Sequence, residues 1–423
     1  MNQREIDTLA QQLASQFSAM RQQQRRTSPG AVTTTTSATV AATATATVTT
    51  DVAEDTGSGS SIDNLTRQLG DLRELSVDTT TLDSSTAHPQ ESEGLTSPLV
   101  DPYATVPDPS IYEKEFADTY LRVNASVLRF EDLQLLDLAC EQIPMERLYE
   151  EAEVMREDYP DDSVGDIVIR RLLHWFKNEY FTWVNEPPCA SCQAKTVAVG
   201  TVAPTAQEMQ DGAGVVEAYQ CTQSCSTTTR FPRYGGMSTI LFKTRRGRCG
   251  EWANCFTVFC RAIGYQARYV HDTTDHVWTE VWSQHKKRWI HCDACEAAYD
   301  QPLLYSTGWG KSLSYCVAFS GKLKGRSEEV VDVTRRYTIE YDTSVLKRRR
   351  SIRELVLAKF LHRMSESNLA RLSLDPTELQ AVRQRQGLEM DALLGRNGDT
   401  RAIETQDRES GSDEWTKARG ERR

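Results

Sequence analysis

The chain has 423 residues, only 39% of them hydrophobic, and its 60 acidic side chains outnumber 49 basic ones for a formal charge of −11. That balance excludes the basic footprint of a nucleic-acid binder or of a protein drawn to an anionic membrane surface. No apolar run nears the roughly 20 residues that span a bilayer. The start, Met1-Asn2-Gln3-Arg4-Glu5, lacks the apolar stretch and small-residue cleavage site of a secretion signal. The expected setting is the reducing cytoplasm, with the nucleus as an alternative. There, 11 cysteines are a poor disulfide framework and point to metal or catalytic thiols.

In chain order, Ile6, Leu9, Leu13, Phe17 and Met20 fall at steps of three or four and predict an amphipathic helix over residues 1–26. Its apolar stripe either meets a partner or leaves a frayed or self-associating helix. Residues 27–110 are a Ser/Thr/Ala/Pro-rich, low-complexity linker, too poor in apolar groups to offset chain entropy. Ile62, Leu65, Leu69 and Leu72 predict a short helix in it near 61–76. The core is expected over residues 111–345. Helical spacing runs through Leu133, Leu136, Leu138, Ile143 and Leu148, then from Val164 to Tyr180. Period two follows Gly264, in Tyr265–His271, Val277–Trp282 and Arg288–Asp293.

The fold class is therefore α+β, helices first and a central antiparallel sheet second. Helices return over 346–396. Ser351 with Glu354, and Asp375 with Glu378, read as capping boxes, the second with Pro376 at the first helical position. The run Lys347-Arg348-Arg349-Arg350 reads as a solvated helix start, with a nuclear address as the other reading. Residues 397–423 read as a disordered charged tail.

Two cysteine constellations carry chemistry. Cys189-Ala-Ser-Cys192 and Cys221-Thr-Gln-Ser-Cys225, 28 residues apart, offer four thiolates from two knuckles in a subdomain spanning 184–230. That set suits one tetrahedral Zn²⁺, and with no open ligand position the ion would be structural. The other reading is four unliganded thiols.

Separately, Arg245-Arg246-Gly247-Arg248-Cys249-Gly250-Glu251-Trp252 leads into a helix, with Cys249 at its N-terminus. Free N–H groups and nearby arginines there favour a thiolate. Its base is sought among His271, His276, His285 and His291. If the last two strands form a hairpin centred between Gln284 and His285, opposed residue numbers add to 569. His276 then faces Asp293, with His291 opposite Trp278 as a packed rival. The order Cys, His, Asp, with gaps of 27 and 17 residues, excludes a papain layout and fits a transglutaminase-like core. The chemistry is attack on an amide carbonyl through a thioester.

Several segments resemble the motifs of the cytoplasmic peptide:N-glycanase family, within the transglutaminase-like, papain-like superfamily. They are Trp183-Val184-Asn185, Arg230-Phe231-Pro232-Arg233-Tyr234, Gly247 to Trp252, Asp275 to Trp282, Trp289 to Glu296, and Tyr305 to Lys311. They occur in the family's order between about residues 110 and 340. The resemblance implies release of N-glycans from misfolded glycoproteins, converting asparagine to aspartate, in the degradation of proteins exported from the endoplasmic reticulum.

Carried over by motif, Cys249 is the nucleophile, His276 the base and acid, Asp293 the orienter, and Glu296 a sugar-binding residue. Cys189, Cys192, Cys221 and Cys225 match the family's zinc ligands, although the second knuckle is one residue longer than usual, which singles out Cys221. Trp183, Trp252 and Trp278 offer faces for stacking on sugars, or else pack in the core. The chain is similar to the short, fungal-type form, in which an N-terminal helix docks on a proteasome-shuttle ubiquitin receptor. The competing expectations are another transglutaminase-like amidase or acyltransferase, and a catalytically weak adaptor in proteasomal degradation.

Overall fold

The computed structural model describes residues 103–223, 225–321 and 329–395, together with Arg408, Ser410, Gly411, Glu414 and Thr416. The helices expected at 1–26 and near 61–76 lie outside the described residues.

Four helices come first: α1 (Lys114–Leu128), α2 (Leu133–Gln142), α3 (Met145–Val154) and α4 (Val164–Trp175). Side chains fix two of their starts. Asp132 accepts from the Leu135 amide ahead of α2, and Ser163 and Asp166 form a capping box on α4. A π-helical turn, Phe176–Tyr180, closes α4. It sets the Phe176 and Tyr180 rings 5.6 and 5.1 Å from Phe259, joining the helical part to the core of the site-bearing part.

β1 (Thr182–Trp183) pairs in parallel with β5 (Arg246–Gly247). Between them lies a three-stranded antiparallel sheet of β2 (Thr196–Val202), β3 (Val215–Cys221) and β4 (Thr228–Arg233). Period two does not announce this sheet: β2 is exposed at all but its first residue, and β4 contains Pro232, which usually marks an edge. β4 is indeed an edge strand.

The remaining strands form a six-stranded sheet in the order β11-β10-β6-β7-β8-β9. They are β6 (Ala267–Asp272), β7 (His276–Ser283), β8 (Arg288–Asp293), β9 (Ala298–Tyr299), β10 (Cys316–Ser320) and β11 (Val330–Asp332). All of its pairings are antiparallel. Helix α5 (Cys249–Ala262) is buried at every residue from Glu251 to Ala262. Ala253 and Phe256 share a core cluster with Val277, Val281 and Ile290, and the Thr257 and Thr279 hydroxyls are 2.7 Å apart.

Strand alternation sends His276, Trp278 and Glu280 to the other face. There Trp278 packs with Tyr305, Trp309 and Tyr337 in a second cluster. Deeper on that face Glu280 is fully buried between Arg268 (2.5 Å) and Arg336 (2.6 Å), which both also reach Glu389. Glu389 lies on α7 (Pro376–Leu393), so a buried four-membered ion network ties the last helix to the sheet.

Two local expectations are corrected. Asp375, Pro376 and Glu378 start α7 as expected, but α6 (Glu354–Ala370) begins after Arg353 without a side-chain cap. Glu354 turns instead to Arg349, 2.8 Å away. That interaction also changes the basic run: Arg349 is buried, ion-paired with Asp332 at 2.5 Å, and Arg348 donates to the Leu313 carbonyl. Arg349 is the one buried member of the four; Lys347, Arg348 and Arg350 are exposed. No described helix is long and apolar enough to cross a membrane.

Candidate active site and metal centre

Cys249 is the first residue of α5, where the helix leaves amide groups unpaired. Glu251 builds that end: its carboxylate accepts from the Arg248 and Tyr234 amides at 3.0 Å each and from the Arg233 guanidinium at 2.9 Å. A Cβ at Gly247 would collide with Glu251, so a glycine is needed there. Arg248 is not the loose cation the sequence suggests. It bonds the Val184 and Asn185 carbonyls at 3.0 and 2.7 Å, and Glu217 at 2.7 Å. Burial raises the Glu217 pKa, but Arg248, Tyr219 and Arg233 outweigh it and bring the carboxyl down to about 2. The Arg248 charge is thus largely spent on β3, leaving the helix terminus as the main local support for a Cys249 thiolate.

Behind the site is a chain of buried groups. His276 Nε2 lies 2.7 Å from Asp293 Oδ2. The Tyr305 hydroxyl donates to the same oxygen at 2.8 Å, and the Cys295 amide donates to Oδ1 at 2.8 Å. His291 Nε2 is 2.7 Å from the Tyr305 oxygen. Burial alone would raise the Asp293 pKa. The neighbouring His276 reverses this, with help from His291 and Tyr305, and holds the carboxyl well below its usual range. Burial lowers His276, although Asp293 opposes it, and pushes His291 down to about 4. His276 Nδ1 is buried and has no protein hydrogen-bond partner.

The expected partners meet, but in a different register. β7 and β8 pair from Thr279 with Cys292 to Ser283 with Arg288, so opposed numbers add to 571 and the turn centres between His285 and Lys286. The turn is longer than assumed by an even step, which preserves faces. His276 and Asp293 are diagonal neighbours, a spacing that long side chains bridge, and His291 opposes Glu280, not Trp278. Among the other candidates, His285 is exposed in the turn, whereas His271 is half-buried, its ring 5.9 Å from that of Tyr120.

The expected sugar contacts divide. Trp252 is 2% and Trp278 1% exposed. Trp252 packs on Phe176 and Phe181, and Trp278 on Tyr305 with ring centroids 4.4 Å apart. Neither has an open face for a sugar, because each fills a core layer. Glu296 is also buried, and its Oε1 accepts from the Ser410 amide at 3.1 Å. Arg408 lies over the Trp309 ring, 4.3 Å from its centroid, within electrostatic reach of Glu296, Asp293, Cys295 and Cys249.

The stretch expected as a disordered tail therefore has described residues seated at the site, with Ser410 and Thr416 buried. Charge density reads as disorder in sequence, but Arg408 finds a cluster of acids in the fold. Tyr305 and Trp309 stood inside a recognised motif, which was the available signal for them, yet single-sequence reasoning gave neither a role.

The four knuckle cysteines converge, Cys221 included. Their sulfurs all lie within 4.8 Å of one another, and the pairs Cys189 with Cys225, Cys192 with Cys221 and Cys192 with Cys225 are 3.5 Å apart. Metal–sulfur bonds of ~2.3 Å in a tetrahedron need edges of roughly 3.7 Å, so the set fits a metal ion. A left-handed residue follows each knuckle's second cysteine, Gln193 (φ 60°) and Ser226 (φ 51°), giving the two turns the same reversal. The thiols perturb one another unevenly: against the lowering Gln223 amide, Cys225 and the other thiols push Cys221 up to about 12, whereas the Thr227 amide with Cys221 and Cys189 brings Cys225 down to about 6. Four thiolates held this close call for a cation between them. Among the described residues this is the only group of three or more potential ligands that converges in this way.

Comparison with known proteins agrees with this geometry. A family profile described as the transglutaminase-like superfamily matches residues 196–294, and one described as the Rad4 transglutaminase-like domain matches 266–392. The chain is 42% identical over 297 residues to the peptide-N(4)-(N-acetyl-beta-glucosaminyl)asparagine amidase of Yarrowia lipolytica, covering 69% of this chain and 80% of that one. Proteins of the same name from Homo sapiens and Arabidopsis thaliana are each 40% identical over 70% of this chain, which spans 44% and 40% of their lengths.

Proposed function

The chain belongs to the peptide-N(4)-(N-acetyl-beta-glucosaminyl)asparagine amidase family, and from that premise we propose that Cys249, His276 and Asp293 hydrolyse the amide joining an N-glycan to asparagine. His276 Nδ1 takes the Cys249 proton, and Sγ attacks the side-chain carbonyl carbon. Collapse of the tetrahedral adduct breaks the C–N bond, and the proton on Nδ1 passes to the departing glycosylamine nitrogen. Water, deprotonated by the same nitrogen, then opens the thioester, leaving aspartate and restoring the thiol. Asp293 fixes the tautomer by accepting from Nε2, so that Nδ1 faces the chemistry.

The observation that carries this reading is the buried His276–Asp293 pair with its unpartnered Nδ1, in a chain so similar to named amidases. Zn²⁺ on Cys189, Cys192, Cys221 and Cys225 would hold the β2–β4 sheet. That sheet bears Glu217 and through it Arg248, the residue before the nucleophile. Its substrates are misfolded N-glycoproteins of the cytoplasm. The residue 1–26 stripe supports docking on a proteasome-shuttle ubiquitin receptor, so deleting 1–26 should abolish co-precipitation of that receptor and leave glycopeptide turnover intact.

The test is incubation with a denatured N-glycoprotein, following glycan release and conversion of asparagine to aspartate by mass spectrometry. Both should occur with the wild type and neither with Cys249→Ala. Equal conversion by the two, or none by either, would overturn the reading.

A further inference from the structure

We propose that Tyr305 and His291 are positioning residues for the His276 base, completing a buried chain from His291 through Tyr305 and Asp293 to His276. The inference rests on the amidase reading and extends it to two residues outside the triad.

Hydrogen-bond bookkeeping fixes every direction in the chain. Asp293 is ionised and only accepts, so both the Tyr305 hydroxyl and His276 Nε2 donate to Oδ2. With its proton so committed, the Tyr305 oxygen accepts, and His291 Nε2 at 2.7 Å must be the donor. His291 therefore carries a proton on Nε2, and its buried Nδ1 has no protein partner, which ends the chain. Tyr305 is also held as a wall: its ring lies 4.4 Å from Trp278, 5.0 Å from Trp309 and 5.1 Å from His276.

A carboxylate with an added donor is a weaker acceptor toward its remaining partner. Tyr305 thus moderates how tightly Asp293 holds the protonated imidazole, keeping His276 able to return its proton to the leaving amine.

The test is a histidine-selective NMR titration in a Cys249→Ala background, which needs no turnover and so stands apart from the amidase reading. Tyr305→Phe should move the His276 titration up by about 0.5 to 1 pH unit. His291→Leu, which cannot donate to Tyr305, should shift it in the same direction by less. His291→Gln, whose amide can donate, should keep the wild-type value. In active protein, Tyr305→Phe should lower kcat about tenfold with KM nearly unchanged. An unmoved His276 titration in folded Tyr305→Phe would overturn the proposal. So would equal shifts in His291→Gln and His291→Leu, a comparison that still decides if Tyr305→Phe does not fold.

A separate observation carries a second inference. Arg408 covers Trp309, whose ring is 5.2 Å from that of His276, and Ser410 occupies a Glu296 carboxylate oxygen. Arg408 Nε also bonds the Ser410 carbonyl at 2.9 Å, so the two act as one unit. We infer that Arg408 and Ser410 occupy the Glu296–Trp309 side of the site and compete with substrate for it. In the full chain, Arg408→Glu places a like charge beside Glu296. It should lower KM for a glycopeptide several-fold, about 3 to 10, with kcat little changed, and should speed alkylation of Cys249 by a bulky maleimide. Unchanged KM and unchanged alkylation would overturn it. The alkylation rate reads the same competition without any catalysis.

Discussion

The two cysteine centres use one residue type in opposite ways. In the knuckles, four sulfurs crowd within 4.8 Å and titrate against one another, Cys221 pushed up and Cys225 drawn down, an arrangement that suits a shared cation. At the head of α5, Cys249 sits at a helix end that leaves amide groups unpaired, within electrostatic reach of Arg408 and of the buried Cys295 thiol. A cysteine's role is thus set by what can compensate its charge: a site that fits a shared cation in one place, a helix end in the other. Glu217 connects the two, since it sits on the knuckle sheet and holds Arg248, the residue before Cys249.

The largest expected effect separates the centres outright. Cys249→Ala should lower glycan release by at least about 1,000-fold while leaving the melting temperature within a few degrees. Cys192→Ser should do the reverse in kind, with loss of about one zinc per chain by metal analysis and unfolding of the β2–β4 sheet seen by hydrogen exchange. Strong chelators should mimic it.

Breaking the link comes next. Arg248→Leu removes one of the two guanidinium groups that lie 2.7 Å from Glu217 and should cost about 3 kcal/mol in denaturant unfolding. It should also slow turnover by loosening the start of α5. If it behaves like a surface change, the two centres are independent.

The last effect shows only as pH falls and arises in the buried chain of His291, Tyr305, Asp293 and His276. His291 has its pKa lowered from 6.5 to about 4, so the unfolded chain binds the extra proton between those values. Stability from this group is complete above pH 6.5 and is lost as pH falls toward 4, by roughly 3 kcal/mol in all. His291→Gln should flatten that part of the stability profile. Because His276 is lowered too, its base form persists below pH 6.5, and the acid limb of activity should lie there.

Much of this was legible in the sequence because chemistry with strict needs leaves strict patterns. Strand alternation alone brought His276 and Asp293 to one face, and a wrong turn centre did no harm because the error was even. The knuckle spacing picked out four cysteines that converge. Long-range compensation was hidden. Nothing in the residues around Arg248 announces Glu217 on another sheet, and nothing in Arg408 announces Glu296. Trp252 and Trp278 misled for a related reason: an aromatic beside a catalytic residue serves a core or a substrate equally well in sequence, and only burial decides.

The most direct measurement of the central claim is intact-protein mass spectrometry after acid quenching of a reaction with excess N-glycopeptide. The wild type should carry a peptide acyl group, mapped to Cys249, labile to hydroxylamine and lacking the glycan. An acyl group on another residue, or glycan release from wild type and Cys249→Ala alike with no adduct in either, would contradict a thioester mechanism at Cys249.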